Sequence, residues 1–148
     1  MLRMVFFLKG SKELSYYGTA TALSVKRSDL AGASVGDYAL FGGGNPYSNV
    51  VDAYNTSLTR STPTKLSTAR NSLAGASVGD YALFGGGTTG SYSSVVDAYN
   101  TSLTRSTPTE LSAARNNLAG ASVGDYALFG GGWNGSRISV VDVYEYHS

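Results

Sequence analysis

The residues that could carry chemistry in this chain recur at equivalent positions. Three arginines each stand three residues before an identical leucine, and two sets of aspartates recur with them: Arg27, Arg70 and Arg115; Asp37, Asp80 and Asp125; Asp52, Asp97 and Asp142. A ring of such arginines could hold an anion or the acidic tail of a partner, and a ring of aspartates could bind a cation. The simpler interpretation, which we favour, is that the guanidinium groups bond main-chain carbonyls of an adjacent repeat and the carboxylates bond neighbouring strands or turns.

Groups that could catalyse a reaction are scarce. The sequence has no cysteine, its single histidine is the penultimate residue His147, and no cluster of residues has the spacing of metal ligands. We therefore predict a protein that is not an enzyme, with no catalytic, cofactor-binding or metal-binding residues.

The glycine runs formally match a phosphate-binding motif. Gly85–Gly90 and Gly130–Gly135 fit the pattern G-x-G-x-x-G, but that motif needs a helix N-terminus directly after the glycines. A valine-rich segment follows here, and the first copy, Gly42–Tyr47, breaks the pattern. We expect these glycines to let neighbouring structural units approach closely.

A tandem repeat positions all of these residues. The stretch LAGASVGDYALFGGG occurs three times without a change, with starts 43 and 45 residues apart, at Leu30–Gly44, Leu73–Gly87 and Leu118–Gly132. In the second copy, Gly79-Asp80 is a hairpin signal between two strands, Ala74–Val78 and Tyr81–Gly85. The first strand consists of small residues, whereas the second is apolar on both faces and should be covered on both.

The rest of each repeat predicts two more strands. Val95–Tyr99 is rich in strand-forming residues, Asn100–Ser102 is turn chemistry, and Leu103–Thr107 is polar and precedes a proline, which favours an outer edge. Four short strands, running from small and inner to polar and outer, are typical of a propeller blade. This order predicts aromatic rings buried between blades and arginines exposed on the outer strand: Phe41, Phe84 and Phe129, and Arg60 and Arg105.

The succession of these features resembles the kelch repeat. An arginine at Arg115, the turn Gly124–Tyr126, the glycine run Gly130–Gly132 and a Val-Val-Asp-x-Tyr sequence ending at Tyr144 follow one another as in that family. The family has a tryptophan after the tyrosine of the third strand, whereas this chain has a leucine four residues after Tyr54 and after Tyr99, at Leu58 and Leu103. The resemblance implies an all-β fold of four-stranded antiparallel β-propeller blades, about three per chain, and a role in binding proteins.

The repeats predict one domain over residues 1–148, divided into a degenerate outer strand and leader, two whole blades, and a third blade without its outer strand: 1–29, 30–72, 73–117 and 118–148. Residues 11–24 align with the outer strand of the first blade, and Val5–Leu8 with a third strand; a disordered leader is the alternative. Three blades cannot close a ring, because propellers have four to eight. Either two chains form a six-bladed homodimer in which residues 11–24 complete the partner's third blade, or the chain is a fragment of a larger propeller.

The connections between the second and third strands differ most among the repeats. They contain three aromatic residues and an arginine that we single out as candidate interaction residues: Tyr47, Tyr92, Trp133 and Arg137. Such side chains on the loops of a rigid scaffold are typical of recognition surfaces, although drift in unconstrained loops would give the same variation. The leading hypothesis is a protein-interaction or structural scaffold, such as a subunit of a phage or bacterial-surface assembly. A carbohydrate-binding or carbohydrate-active propeller is the alternative.

The composition limits the partners. The formal net charge is +1, from 11 basic and 10 acidic residues, which gives no electrostatic reason to expect binding to nucleic acid or to an acidic membrane. The apolar run Met4–Leu8 is too short for a membrane span or an ordinary signal peptide. We expect a cytoplasmic or phage-associated protein rather than a secreted one.

Overall fold

The fold was analysed in a computed structural model, which describes residues 12–148. These residues form eleven strands: β1 (Ala31–Val35), β2 (Tyr38–Gly42), β3 (Val51–Tyr54), β4 (Arg60–Ser61), β5 (Ala74–Val78), β6 (Tyr81–Gly85), β7 (Val96–Tyr99), β8 (Arg105–Ser106), β9 (Ala119–Val123), β10 (Tyr126–Gly130) and β11 (Val141–Glu145). No helix occurs in the described part of the chain. The prediction of an all-β protein is therefore confirmed.

The strands form three antiparallel sheets that follow one another along the chain. The first sheet contains β1 to β4, the second β5 to β8 and the third β9 to β11, and strands adjacent in sequence are neighbours in each sheet. The hairpin in the second sheet pairs Val78 with Tyr81 across Gly79, whose φ of 53° suits the residue without a side chain. The repeated antiparallel units and their predicted strand order are thus observed.

The outer strand is shorter than predicted. In the second sheet it covers Arg105–Ser106 rather than the five residues expected. The reason lies in the turn before it, where Leu103 has a φ of 61° and its N–H donates to the carbonyl of Asn100. The Asn100 side chain accepts hydrogen bonds from Ser102 and Thr104, so the turn reaches further into the segment than its sequence suggested.

Hydrophobic packing lies between consecutive sheets, in contacts that we call junctions. In the first junction, the first sheet contributes Ala31, Val35, Leu40, Val51 and Ala53. The second sheet and the segment before it contribute Leu66, Leu73, Ala82, Phe84 and Tyr99. The second junction repeats this set between the next two sheets: Ala74, Ala76, Val78, Leu83, Val96 and Ala98; Leu111, Leu118, Ala127 and Phe129. Each sheet therefore has two different faces, and each junction joins one face of each kind.

Glycines permit the close approach of the inner strands. A Cβ at Gly75 would collide with the main-chain carbonyl of Gly32 on the neighbouring sheet. A Cβ at Gly42 would lie 3.2 Å from the ring of Phe84, which is tighter than an ordinary contact. The expectation that the glycine runs serve close packing is borne out at Gly42 and at the equivalent Gly85, which lies against the ring of Phe129.

Some sequence-based expectations are not met within the single described chain. Phe84 and Phe129 are fully buried, but Phe41 is 37% exposed because no sheet of the described chain covers its face. Residues 12–24 form no strand, and the segment Val5–Leu8 lies outside the described residues. On the outer strands, Arg60 is exposed as predicted and Arg105 is half-buried. Both side chains are about one-third exposed, because each lies against an aspartate on the adjacent strand.

Candidate functional site

The repeated arginines and aspartates form three equivalent ion pairs. Each pair joins an arginine that precedes a sheet to the aspartate on the third strand of that sheet, with a nitrogen–oxygen distance of 2.9 Å: Arg27–Asp52, Arg70–Asp97 and Arg115–Asp142. In the second sheet neither side chain is exposed to solvent. Burial of this kind requires both charges to be paired and hydrogen-bonded.

Main-chain groups complete each pair. In the second sheet, Arg70 also donates to the carbonyl of Phe84 at 2.9 Å, and Asp97 accepts from the N–H of Ser67 at 3.3 Å. Asp97 is held opposite Phe84 by the register of β6 and β7. The arginine therefore fastens the segment before the sheet to its second and third strands.

Electrostatics keep Asp52 and Asp142 charged. Burial alone would raise the pKa of Asp52, but hydrogen bonds from Ser24 and Arg27 outweigh it and hold the pKa below the usual value. The pKa of Asp142 is lowered in the same way, with bonds from Arg115 and Ser112 outweighing its partial burial. These carboxylates are therefore poor proton acceptors at neutral pH.

The predicted ring of arginines does not present its charge to solvent. Arg70 and Arg115 are fully buried, and the Arg27 side chain is 1% exposed. Their guanidinium groups contact main-chain carbonyls, as the simpler interpretation held, but these carbonyls belong to the sheet that each arginine precedes or to the segment that carries the arginine, and not to an adjacent repeat. An anion or an acidic tail would have to displace an aspartate to reach any of them.

The candidate interaction residues lie on exposed loops at one end of the sheets. Tyr47, Tyr92, Trp133 and Arg137 are all solvent-exposed. In the third repeat, Trp133 and Arg137 face each other across a narrow hairpin, joined by an isolated bridge, and Tyr92 faces Thr88 in the second repeat in the same way. The structure thus brings Trp133 and Arg137 together, whereas the two tyrosines lie on the equivalent loops of the other repeats.

Each of these loops is hydrogen-bonded at its base to the segment that precedes the first strand of the same sheet. Trp133 exchanges two main-chain hydrogen bonds with Asn116, at 2.8 and 3.0 Å, and Thr88 does the same with Asn71. The base of each loop is therefore tied to residues directly after a buried arginine. This gives the exposed side chains a fixed base, as a recognition surface requires.

The pairing of arginine with aspartate was not predicted from the sequence, although a signal for it was present. Arg70 and Asp97 are 27 residues apart, as are Arg115 and Asp142. A second repeated contact was also missed, in which the hydroxyl of the last tyrosine of a sheet donates to a threonine carbonyl before that sheet: Tyr54 to Thr21, Tyr99 to Thr64, and Tyr144 to Thr109.

Comparison of the sequence with protein families and with curated proteins gives no match. Among residues 12–148, no three histidine, cysteine, aspartate or glutamate side chains are grouped so that they could hold a metal ion. The same residues include no helix long and apolar enough to cross a membrane.

Proposed function

We propose that this protein is a non-enzymatic interaction or structural scaffold built from kelch-like propeller blades. The proposal is supported by the different positions of two groups of residues, the repeated charged residues inside the sheets and the aromatic residues and arginine on the loops. The repeated arginines and aspartates are buried in pairs that fasten each sheet, while Tyr92, Trp133 and Arg137 stand on exposed hairpin loops. Rigid sheets with varied exposed loops suit recognition of a partner protein.

We propose further that two chains complete a six-bladed ring. In the part of the chain that the structure describes, the first and third sheets each have one apolar face that no other sheet covers, with Phe41 and Val123 among the exposed residues. A ring of two chains would cover both faces without any new type of contact. The predicted solution mass is about 31 kDa, twice the chain mass of 15.4 kDa, and analytical ultracentrifugation measures it directly.

The binding role is tested by removing the loop side chains. A triple variant, Tyr47→Ala, Tyr92→Ala and Trp133→Ala, should keep the unfolding midpoint of the wild type, because these side chains are exposed. Cross-linking to candidate partner proteins should fall at least tenfold in the variant. Unchanged cross-linking to a partner that binds the wild type would contradict the assignment of these loops.

A carbohydrate-binding function is the second candidate. It is favoured by the Trp133–Arg137 hairpin, which presents an exposed aromatic ring beside a hydrogen-bond donor. A glycan array probed with the wild type and with Trp133→Ala would separate the two candidates. Saccharide binding that disappears in the variant, without hydrolysis of the sugar, would favour the carbohydrate-binding function.

A further inference from the structure

We propose that the uncovered face of the third sheet binds the uncovered face of the first sheet of a second copy, head to tail. This inference rests on the homodimeric ring proposed above and specifies the surface that forms it. The contact would be a third junction, made of the same residue positions as the two junctions inside the chain. Four sets of observations support the proposal.

The apolar halves of such a junction are both present. Both uncovered faces have the residues that are equivalent to those of the internal junctions. On the third sheet they are Ala119, Val123, Leu128, Val141 and Val143. On the first sheet and the segment before it they are Leu23, Leu30, Ala39, Phe41 and Tyr54. Val123, Val141 and Val143 are each more than half exposed, whereas their counterparts in the second sheet are buried. A second copy would bury these side chains against the residue types that already cover their counterparts.

Main-chain donors and acceptors also match. Four hydrogen bonds cross the first junction, here given from donor to acceptor: Leu66 to Asn49, Arg70 to Ser48, Ser72 to Asp29, and Gly44 to Arg70. The second junction repeats them: Leu111 to Ser94, Arg115 to Ser93, Asn117 to Ser72, and Gly87 to Arg115.

The corresponding groups at the two ends of the chain make none of these bonds to a described residue. On the first sheet they are the N–H groups of Leu23, Arg27 and Asp29 and the carbonyl of Arg27. On the third sheet they are the carbonyls of Ser139, Ile138 and Asn117 and the N–H of Gly132. The first set is complementary to the second, one donor for each acceptor, and neither set is complementary to itself. This favours a head-to-tail contact over a contact between like faces.

In each internal junction a phenylalanine ring packs on a glycine of the preceding sheet, which we call the seat of the ring, and the equivalent glycine of the third sheet, Gly130, has no ring on it in the described chain. A Cβ at Gly85 would lie 3.2 Å from the Phe129 ring that packs on it, but a Cβ at the equivalent Gly130 would meet only Val141, at 3.6 Å. Phe41 is the equivalent phenylalanine of the first sheet, and within the described residues no preceding sheet provides a glycine for its ring. In the proposed junction it would pack on Gly130 of the other copy.

The segment before the first sheet can supply the missing fourth strand. Thr21 accepts from Tyr54 as Thr64 accepts from Tyr99, so Tyr17 and Gly18 take the positions of the outer-strand residues Arg60 and Ser61. The register of β3 with β4 then places Gly18 opposite Val143 of the other copy. Tyr17 is 84% exposed in the single chain, and the outer edge of β11 has no partner strand among the described residues.

Disulfide trapping tests the junction, because the chain has no cysteine of its own. Inside the chain, the hydroxyl oxygens of Ser34 and Ser77 lie 3.4 Å apart across the first junction. The equivalent pair across the proposed junction is Ser122 of one copy and Ser34 of the other. The double variant Ser34→Cys/Ser122→Cys should therefore run as a covalent dimer on a non-reducing gel.

Three controls make the trapping result specific. Ser34→Cys/Ser77→Cys should form its disulfide within one chain and show that oxidation works at this spacing. Each single variant, Ser34→Cys or Ser122→Cys, should stay monomeric on the gel. Equal cross-linking by a single variant would indicate contact between like faces and would overturn the proposal, as would a double variant that shows no covalent dimer while the control is oxidised.

A second variant tests the seat for Phe41. Gly130→Val should leave the circular dichroism spectrum unchanged, because the site has room within its own chain, and should shift the sedimenting species to the chain mass of 15.4 kDa. Ser102→Ala, on the exposed turn before β8, is the control and should sediment as the wild type does. A Gly130→Val protein that keeps the wild-type mass would overturn this contact.

The outcomes separate the junction from the proposed function. If the wild-type chains dimerise but Ser34→Cys/Ser122→Cys forms no covalent dimer, the homodimer proposal stands and this junction is rejected. Trapping in a closed assembly larger than two chains would retain the junction and reject the count of six blades. A wild-type protein that is monomeric at tens of micromolar would reject the junction, whereas the loop-binding test would still decide the scaffold role.

Discussion

Strands β5 and β9 have the same five residues, Ala-Gly-Ala-Ser-Val, in opposite environments. In β5 the valine, Val78, is 7% exposed, whereas in β9 the equivalent Val123 is 66% exposed. The two strands pair with identical neighbours, β6 and β10, in the same register. The difference therefore comes from the next sheet, which covers β5 and has no counterpart over β9 in the described chain.

The same comparison holds on the opposite face of the sheets. Phe84 of the second sheet is buried against Gly42 of the first, while Phe41 has no such glycine before it. Among residues 12–148, the second sheet alone has both faces covered by another sheet. Stability in this protein should therefore reside in the junctions and in the ion pair within each sheet, as in other repeat proteins, where the neighbour contact is the unit of cooperativity.

The largest expected effect concerns the ion pairs. Arg70→Met leaves the fully buried Asp97 without its cation and should lower the free energy of unfolding by about 3–5 kcal/mol in urea titrations. Arg27→Met should cost a similar amount although it lies at the uncovered end, because its bonds to Asp52 and Gly43 stay within its own sheet. Arg137→Met, on an exposed loop, is the control and should cost less than about 0.5 kcal/mol. A negligible loss for Arg27→Met would show that the pairs depend on the junctions.

The sequence predicted the strands well because their signals are local. The hairpin residues Gly79-Asp80, together with the flanking period-two runs, define β5 and β6 to the residue. The outer strand was predicted too long because the left-handed conformation of Leu103 depends on the Asn100 side chain closing a turn, which the strand propensities of the segment do not report.

The candidate site was harder to predict because its contacts are distant in sequence. The recurrence of Arg70 and Asp97 was visible, but their pairing requires knowing that the segment before a sheet crosses onto its third strand. The exposure of Phe41 was missed for another reason. Its sequence is identical to that around Phe84, so only the order of the sheets along the chain distinguishes the two.

The two phenylalanines provide the next test. Phe84→Ala should lower the free energy of unfolding by about 3–4 kcal/mol at any protein concentration, because the ring is buried within one chain. The loss from Phe41→Ala should depend on protein concentration, because the ring is buried only when a second copy is bound. Urea titrations at one and one hundred micromolar would distinguish the two cases. A loss at Phe41 that is as large and as concentration-independent as that at Phe84 would contradict the comparison.

A smaller effect is expected from filling a glycine seat inside the chain. Gly85→Val places methyl groups where the Phe129 ring packs, so it should cost about 1–3 kcal/mol through overpacking. The same substitution at Gly130 should leave the stability of the monomer within about 0.5 kcal/mol of the wild type. Thermal unfolding of the dilute proteins measures both. Equal losses at the two glycines would mean that their shared strand, rather than the adjacent sheet, sets the cost.

The smallest effect is a loss of free energy of unfolding at high pH. It compares a tyrosine of the second sheet with the equivalent tyrosine of the third. Burial raises the pKa of Tyr144 from its usual value near 10 to about 12, and burial raises the pKa of the fully buried Tyr99 as well. Because the folded pKa lies above the unfolded one, the neutral phenol favours the folded state below pH 10, and this contribution is lost as the pH rises through the folded pKa. The half-buried Tyr144 should account for a loss of about 1 kcal/mol between pH 9 and 11.5 after allowance for solvent screening.

Tyrosine-to-phenylalanine variants test the assignment. Each variant lacks the ionisable hydroxyl, so its free energy of unfolding should fall less between pH 9 and 11.5 than that of the wild type. In dilute, monomeric protein, Tyr99→Phe should remove more of the pH-dependent loss than Tyr144→Phe, because the outer strand β8 lies beside Tyr99, whereas β11, which carries Tyr144, has no outer strand among the described residues. An equal change in Tyr99→Phe and Tyr144→Phe would mean that the third sheet is as well covered in solution as the second, as the proposed junction requires once a second copy is bound. Repeating the titration with Gly130→Val, which should not dimerise, would then restore the difference between the two tyrosines.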